Sequence, residues 1–289
     1  MYCLLEISSS HIHLPHWLTS EQYGSLSATL RKSKCLQEIV ELFSFFEEAL
    51  EDLSKWCKET ENYPEQLVRN QHAAERLCRG VLLELKTYLL QMDAMLARKY
   101  GKDSEIYKLY ERGTQAAKNH CIEYAFALQL RDYSQHCNEV MQSFRAPVEE
   151  NYIQPCCIPE ELLKNYNNWG RKEKRFLSNA KGNIDLLVVF EKVREELEEI
   201  QRSLIHSLLA HDEMRAELLE LRKWMDDSFS TSDCWSFQLA KMVYMNGKDA
   251  PKVAFSQKKI TVRFDALPVD WMIIYKLTDE IAELQKAGV

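Results

Sequence analysis

Between Asn183 and Asp226 the chain contains neither proline nor glycine. Apolar side chains recur through this stretch mostly at steps of three and four: Leu186, Phe190, Val193, Leu197, Ile200, Leu204, Leu208, then Met214, Leu218, Leu221 and Met225. Nothing in such a run breaks a helix, and the spacing gathers those side chains into one heptad-like seam. The expectation is a long helix with one irregularity near His211, whose seam packs within a bundle or pairs with the same helix of another chain. A chain organised around it is mainly α, and only 8 Gly and 7 Pro in 289 residues point the same way.

Other helices follow from the same periodicity. Leu36, Ile39, Val40, Phe43, Phe46, Leu50, Leu53 and Trp56 form the apolar face of a helix from about Ser33 to Glu59. Pro64 is placed to open a second helix, which runs to Tyr100 and stops at Gly101. Asp103-Ser104 caps a helix to about Arg112, and another from about Ala116 delivers Leu130 and Arg131. Pro147, Pro155 and Pro159 punctuate a linker before a short helix from Pro159 to Tyr166, and Arg171-Lys172-Glu173-Lys174-Arg175 reads as solvated surface. Residues 252–256 and 259–264 form a β-hairpin about the Gln257-Lys258 link, and Pro268 to about Lys286 a last helix. The start of the chain, 1–20, reads as a short strand or irregular arm. The division expected is an N-terminal arm at 1–32, a helical bundle at 33–228 and a hairpin-plus-helix appendage at 229–289.

A net charge of −7 argues against non-specific coating of nucleic acid, though a local basic groove is compatible with it. No apolar run is long enough to span a membrane, and Met1 to Gly24 lacks the pattern of a signal peptide, so a soluble, cytoplasmic protein is expected. The 9 cysteines contain no Cys-x2-Cys pair and fall mostly at small apolar positions of helical patterns, which suits reduced thiols and predicts no metal or cofactor. The vicinal Cys156-Cys157 is the one place where a thiophilic metal or a redox response is conceivable.

Chemistry concentrates in Tyr124-Ala-Phe-Ala-Leu-Gln-Leu-Arg131-Asp132-Tyr133-Ser134-Gln135-His136-Cys137-Asn138. A guanidinium forks onto phosphate oxygens, and an imidazole that titrates near neutrality moves the proton of a ribose hydroxyl. On a regular helix Arg131 and His136 point about 140° apart, so either the helix breaks near them or a second subunit completes the site. Asp132 and His136, four apart, share a face on which the carboxylate can orient the imidazole, and Arg131 and Gln135 make a second such pair. The catalytic candidates are thus Arg131, Asp132 and His136, with Tyr133, Ser134 and Asn138 as auxiliary phosphate or sugar contacts. Arg69, His72, Arg76 and Arg79 follow steps of three, four and three, giving a basic helix face that can guide RNA or simply be a solvated or subunit-contacting face.

An Arg, a polar residue, three variable residues and a His, following a helix that reads "aromatic-x-x-x-Leu-Arg", resembles the HEPN-type helical domains of bacteria. Arg131, Asp132 and His136 match position by position. The likeness extends through Leu82–Leu89, Lys99–Ser104 and Leu162–Tyr166, covering about 64–210, while Cys137-Asn138-Glu139-Val140-Met141 departs from the small-residue turn and Leu-Pro of many relatives. The resemblance implies a HEPN-like bundle and a homodimer whose two motifs meet across a twofold cleft. It also implies metal-independent RNA cleavage in a stress or phage-defence setting. The alternative is a non-catalytic helical module that binds a protein partner through 183–226 or the appendage, or that uses Arg131 and His136 to hold a phosphate or nucleotide.

Overall fold

The computed structural model describes residues 2–7, 12–61, 67–136, 139–145, 153–210, 212–229, 237–244, 252–255, 258–269 and 271–286. In order these form β1 (Tyr2–Ile7), β2 (Ile12–Leu18), α1 (Ser20–Lys32), α2 (Lys34–Glu61), α3 (Leu67–Tyr100), α4 (Glu105–His120) and α5 (Ile122–His136). They continue as β3 (Ser143–Arg145), β4 (Gln154–Cys157), α6 (Pro159–Asn165), α7 (Arg171–Asn179), β5 (Ile184–Asp185), α8 (Leu186–Leu208) and α9 (Asp212–Phe229). The strands β6 (Phe237–Tyr244), β7 (Lys252–Phe255) and β8 (Lys258–Val269) and the helix α10 (Trp271–Lys286) close the chain. The fold is mainly helical, as its periodicity requires.

Packing groups the chain into two compact units, 39–204 and 1–38 with 205–289, a division that falls inside α2 and α8 rather than at the expected 32/33 and 228/229. The expected N-terminal arm holds structure of its own. Thr19 starts α1 with a capping box, its side chain accepting from the Gln22 N–H at 3.1 Å while the Gln22 side chain accepts from the Thr19 N–H at 2.9 Å.

In the 39–204 unit the core takes in the apolar faces read from sequence on α2 and α8, and one on α3 besides. Phe43, Phe46, Leu50 and Leu53 of α2, Val81, Leu82, Leu85, Tyr88 and Met92 of α3, and Phe190, Val193, Leu197 and Leu204 of α8 are all buried. Phe43 and Tyr88 meet edge-on at 6.1 Å between ring centres, joining α2 to α3. α3 ends as expected at Gly101, whose φ of +84° is a left-handed conformation that glycine adopts without a Cβ penalty. The Ser104 hydroxyl then caps α4, accepting from the Tyr107 N–H at 3.2 Å. α4 does not stop near Arg112. It runs on to His120, and Gly113 serves close packing there, since a Cβ at that position would lie 3.2 Å from Ile200 of α8. A small antiparallel sheet, ordered β3-β4-β5, completes this unit.

The expected long helix is two. α8 ends at Leu208 and α9 begins at Asp212; beyond Leu204 the buried position moves from Leu208 to Leu209, so the break is also a change of phase. The break falls beside the predicted irregularity at His211, a residue that itself lies outside the described ones. The seam is covered within the chain, Leu218, Leu221 and Met225 of α9 being buried as well.

In the other unit the hairpin of β7 and β8 forms as expected and belongs to a five-stranded sheet of order β2-β1-β6-β8-β7; of the expected Gln257-Lys258 link, Lys258 opens β8 opposite Phe255 and Gln257 lies outside the described residues. β1 and β6 pair antiparallel through Tyr2↔Lys241 to Glu6↔Phe237, which draws the start of the chain into the C-terminal sheet. α9 and α10 are joined by Arg222. Its Nη1 donates to Thr278 Oγ1 and Asp279 Oδ1, both at 2.7 Å, and its guanidinium lies 4.5 Å from the Tyr275 ring centre. Tyr275 in turn donates to Asp226. Arg222→Ala is expected to lower stability by about 1–2 kcal/mol, read as a lower urea midpoint, whereas Lys286→Ala at the exposed end of α10 leaves it unchanged.

Candidate functional site at the end of α5

α5 buries Tyr124, Ala125, Phe126, Ala127, Leu130 and Tyr133 and turns Asp132, Gln135 and His136 outward. Its buried side enters an aromatic cluster. Tyr133 stacks on Trp169 at 5.9 Å and meets Tyr166 at 5.8 Å, while Phe126 stacks on Trp169 at 5.8 Å. The Trp169 indole N–H donates to the Leu162 carbonyl at 3.1 Å. Tyr133 is thus a packing residue, wholly buried, and not a substrate contact.

A polar clamp holds the last turn from the opposite side. Glu75 of α3, only 7 % exposed, accepts from the backbone N–H of Val140 at 2.9 Å and of Met141 at 2.7 Å. Arg79, one turn on, donates to Glu75 at 2.5 Å and to the Ser134 carbonyl at 3.2 Å. The Arg79 guanidinium, expected as a substrate contact, therefore also ties α3 to α5. Ser134 turns its hydroxyl back onto the Arg131 carbonyl at 2.6 Å and is likewise occupied. The signal for this clamp was present in the sequence as Glu75 and Arg79 at i and i+4.

The helix does not break inside the motif. Arg131 and His136 lie on one continuous α5, so within one chain they point about 140° apart and do not share a phosphate. Arg131, its side chain 20 % exposed, donates through Nη1 to Gln135 at 2.8 Å, the pair expected from spacing, and to Asp132 at 3.1 Å. Asp132 thus holds Arg131, and among the described residues no contact joins it to His136 as the orienting role required. His136, the last residue of α5, is exposed. Arg76 and His72 are exposed on α3; the Arg69 side chain and Asn138 lie outside the described residues.

The thiols form no rival centre. Cys35, Cys57, Cys78, Cys121, Cys156 and Cys157 are all buried and reduced, and no metal-holding group of His, Cys, Asp or Glu occurs among the described residues. Burial pushes Cys156 up to about 11 and Cys57 up to about 12, with Asp185 adding to each, and raises Cys78 and Cys157 further. Above pH 9 the unfolded thiols ionise while the folded ones stay neutral, so their contribution to stability, full below pH 9, is lost as pH rises towards 11 to 12. The urea midpoint is accordingly expected to be lower at pH 10 than at pH 8, and iodoacetamide at pH 8 to leave these six thiols unmodified in the folded protein.

No helix among the described residues is long and apolar enough to cross a membrane. The chain matches no protein-family model, no curated protein and no solved structure.

Proposed function

We propose that the chain is a HEPN-type, metal-independent endoribonuclease that is complete only as a homodimer, Arg131 of one protomer and His136 of the other acting on one phosphodiester. The observation that carries this reading is the end of α5. It is anchored by an aromatic cluster on one side and by Glu75 and Arg79 on the other, yet it presents His136 to solvent with no structural partner among the described residues. A rigidly mounted, exposed imidazole that the Arg131 guanidinium of a second protomer can approach is the arrangement acid–base chemistry on phosphate needs.

In this mechanism His136 takes the proton of a ribose 2′-hydroxyl, O2′ attacks phosphorus, and the bond from phosphorus to O5′ breaks. Solvent water gives a proton to the departing O5′ and His136 returns its own to solvent, leaving a 2′,3′-cyclic phosphate and a free 5′-hydroxyl. Arg131, aligned by Asp132 and Gln135, neutralises the charge on the non-bridging oxygens.

The direct test is cleavage of labelled structured RNA in EDTA. His136→Ala, at an exposed helix end, is expected to fold as wild type and to cleave about a hundredfold more slowly or worse. Equal cleavage by the two proteins removes His136 from the mechanism. The ties of Arg131 to Asp132 and Gln135 favour a second reading, in which the motif holds phosphate without cleaving it. That reading predicts no cleavage by wild type but weaker RNA binding by Arg131→Ala.

A further inference from the structure

A cavity of about 410 Å³ lies where the end of α4, the start of α5 and α7 converge, lined by Lys118, His120, Ile122, Lys172, Arg175 and Phe176 among others. Its size falls within the ~300–1,000 Å³ of small-molecule pockets. Its lining brings together Lys118, Lys172 and Arg175 and contains no carboxylate, in a chain whose net charge is −7. Among the described residues no carboxylate pairs with Lys118, Lys172 or Arg175. Lys172 is instead steadied by donating to the Asn119 carbonyl at 3.2 Å, and the His120 ring meets Glu196 at 2.9 Å.

Helix electrostatics account for only part of this arrangement. Lys118 and His120 occupy the last turn of α4, where cations are favoured. Lys172 occupies the first turn of α7, where the same dipole disfavours a cation. Lys172 stands there against the local preference, and three cations lining one cavity suit a ligand that supplies negative charge. Phe176, half-buried and set 5.3 Å from Phe126, gives the cavity a ring face beside Ile122 and Ala180, so the lining accepts an apolar body as well as an anion.

We propose that this cavity binds an organic phosphate of about nucleotide size, its phosphate held by Lys118, Lys172 and Arg175 and its body laid against Phe176. The site is separate from the α5 motif. Ile122 opens the helix and His136 closes it, about 20 Å away at the ordinary helical rise.

The test is calorimetric titration of the full chain with AMP, adenosine and inorganic pyrophosphate. AMP is expected to bind more tightly than either. A double variant, Lys172→Glu with Arg175→Glu, should weaken AMP about tenfold or more, whereas Arg171→Glu with Lys174→Glu, the same charge change on α7 outside the lining, and His136→Ala should not. Both altered helix variants change exposed residues, and circular dichroism checks that they fold. Absence of AMP binding overturns the proposal. So does pyrophosphate binding as tightly as AMP, which would leave a plain anion site, or loss of AMP binding in His136→Ala with retention in the double variant. None of these readouts depends on RNA cleavage, so the nuclease reading stands or falls separately.

Discussion

Glu75→Ala is expected to destabilise the 39–204 unit by about 3 kcal/mol, because it strands two buried backbone donors at once. Val140 and Met141 are themselves buried, and the Glu75 carboxylate is the acceptor for both of their N–H groups, at 2.9 and 2.7 Å. The variant also takes away a group to which Arg79 donates, while the Ser134 carbonyl remains. Glu75→Gln keeps one acceptor oxygen and turns an amide donor towards the other N–H, so its loss should be intermediate. Urea unfolding gives the ordering, and hydrogen exchange locates it: the Val140 and Met141 amides should exchange faster in both variants while those of α8 change less. Wild-type protection of these two amides in Glu75→Ala would show that other groups hold the segment. Because that segment directly follows the motif, Glu75→Ala is also expected to reduce any activity of His136 without touching it.

The parts of the fold legible from sequence were those governed by local rules. Gly101 as a helix stop, Ser104 as a cap, the i,i+4 pair of Arg131 with Gln135 and most of the α8 seam depend on neighbours within a turn or two, and each is where its spacing placed it. What spacing misjudged was set by distant partners. The helix expected to end near Arg112 runs on through Gly113, where α8 approaches through Ile200. Arg79 looked like part of a basic stripe, but the chain turns back to bring the Ser134 carbonyl and the Val140 and Met141 N–H groups around it and Glu75. Asp132 could have faced His136 by spacing; its immediate neighbour Arg131 won, since a guanidinium in reach offers a charged partner whatever the pH. The basic cavity was invisible because Lys118 and Lys172 come together only through tertiary packing, and a mixed-charge run such as Arg171–Arg175 reads the same whether it faces water or a ligand.

Mixing Arg131→Ala and His136→Ala protein is expected to restore RNA cleavage that neither variant shows alone. The expectation follows from the unbroken helix: if Arg131 and His136 cannot converge within a chain, each working site takes one residue from each protomer. A mixed dimer then carries one site with both residues intact, Arg131 supplied by the His136→Ala protomer and His136 by the Arg131→Ala protomer. Random exchange makes half of the dimers mixed, each with one of two sites, so recovery should approach about a quarter of wild-type activity. A mixture no more active than its parents, with exchange verified by differently tagged protomers, would show that one chain holds the whole site and that α5 rearranges on binding RNA. Activity in Arg131→Ala alone would instead show that charge on the phosphorane is neutralised elsewhere, and the exposed Arg76 of α3 is the next residue to replace.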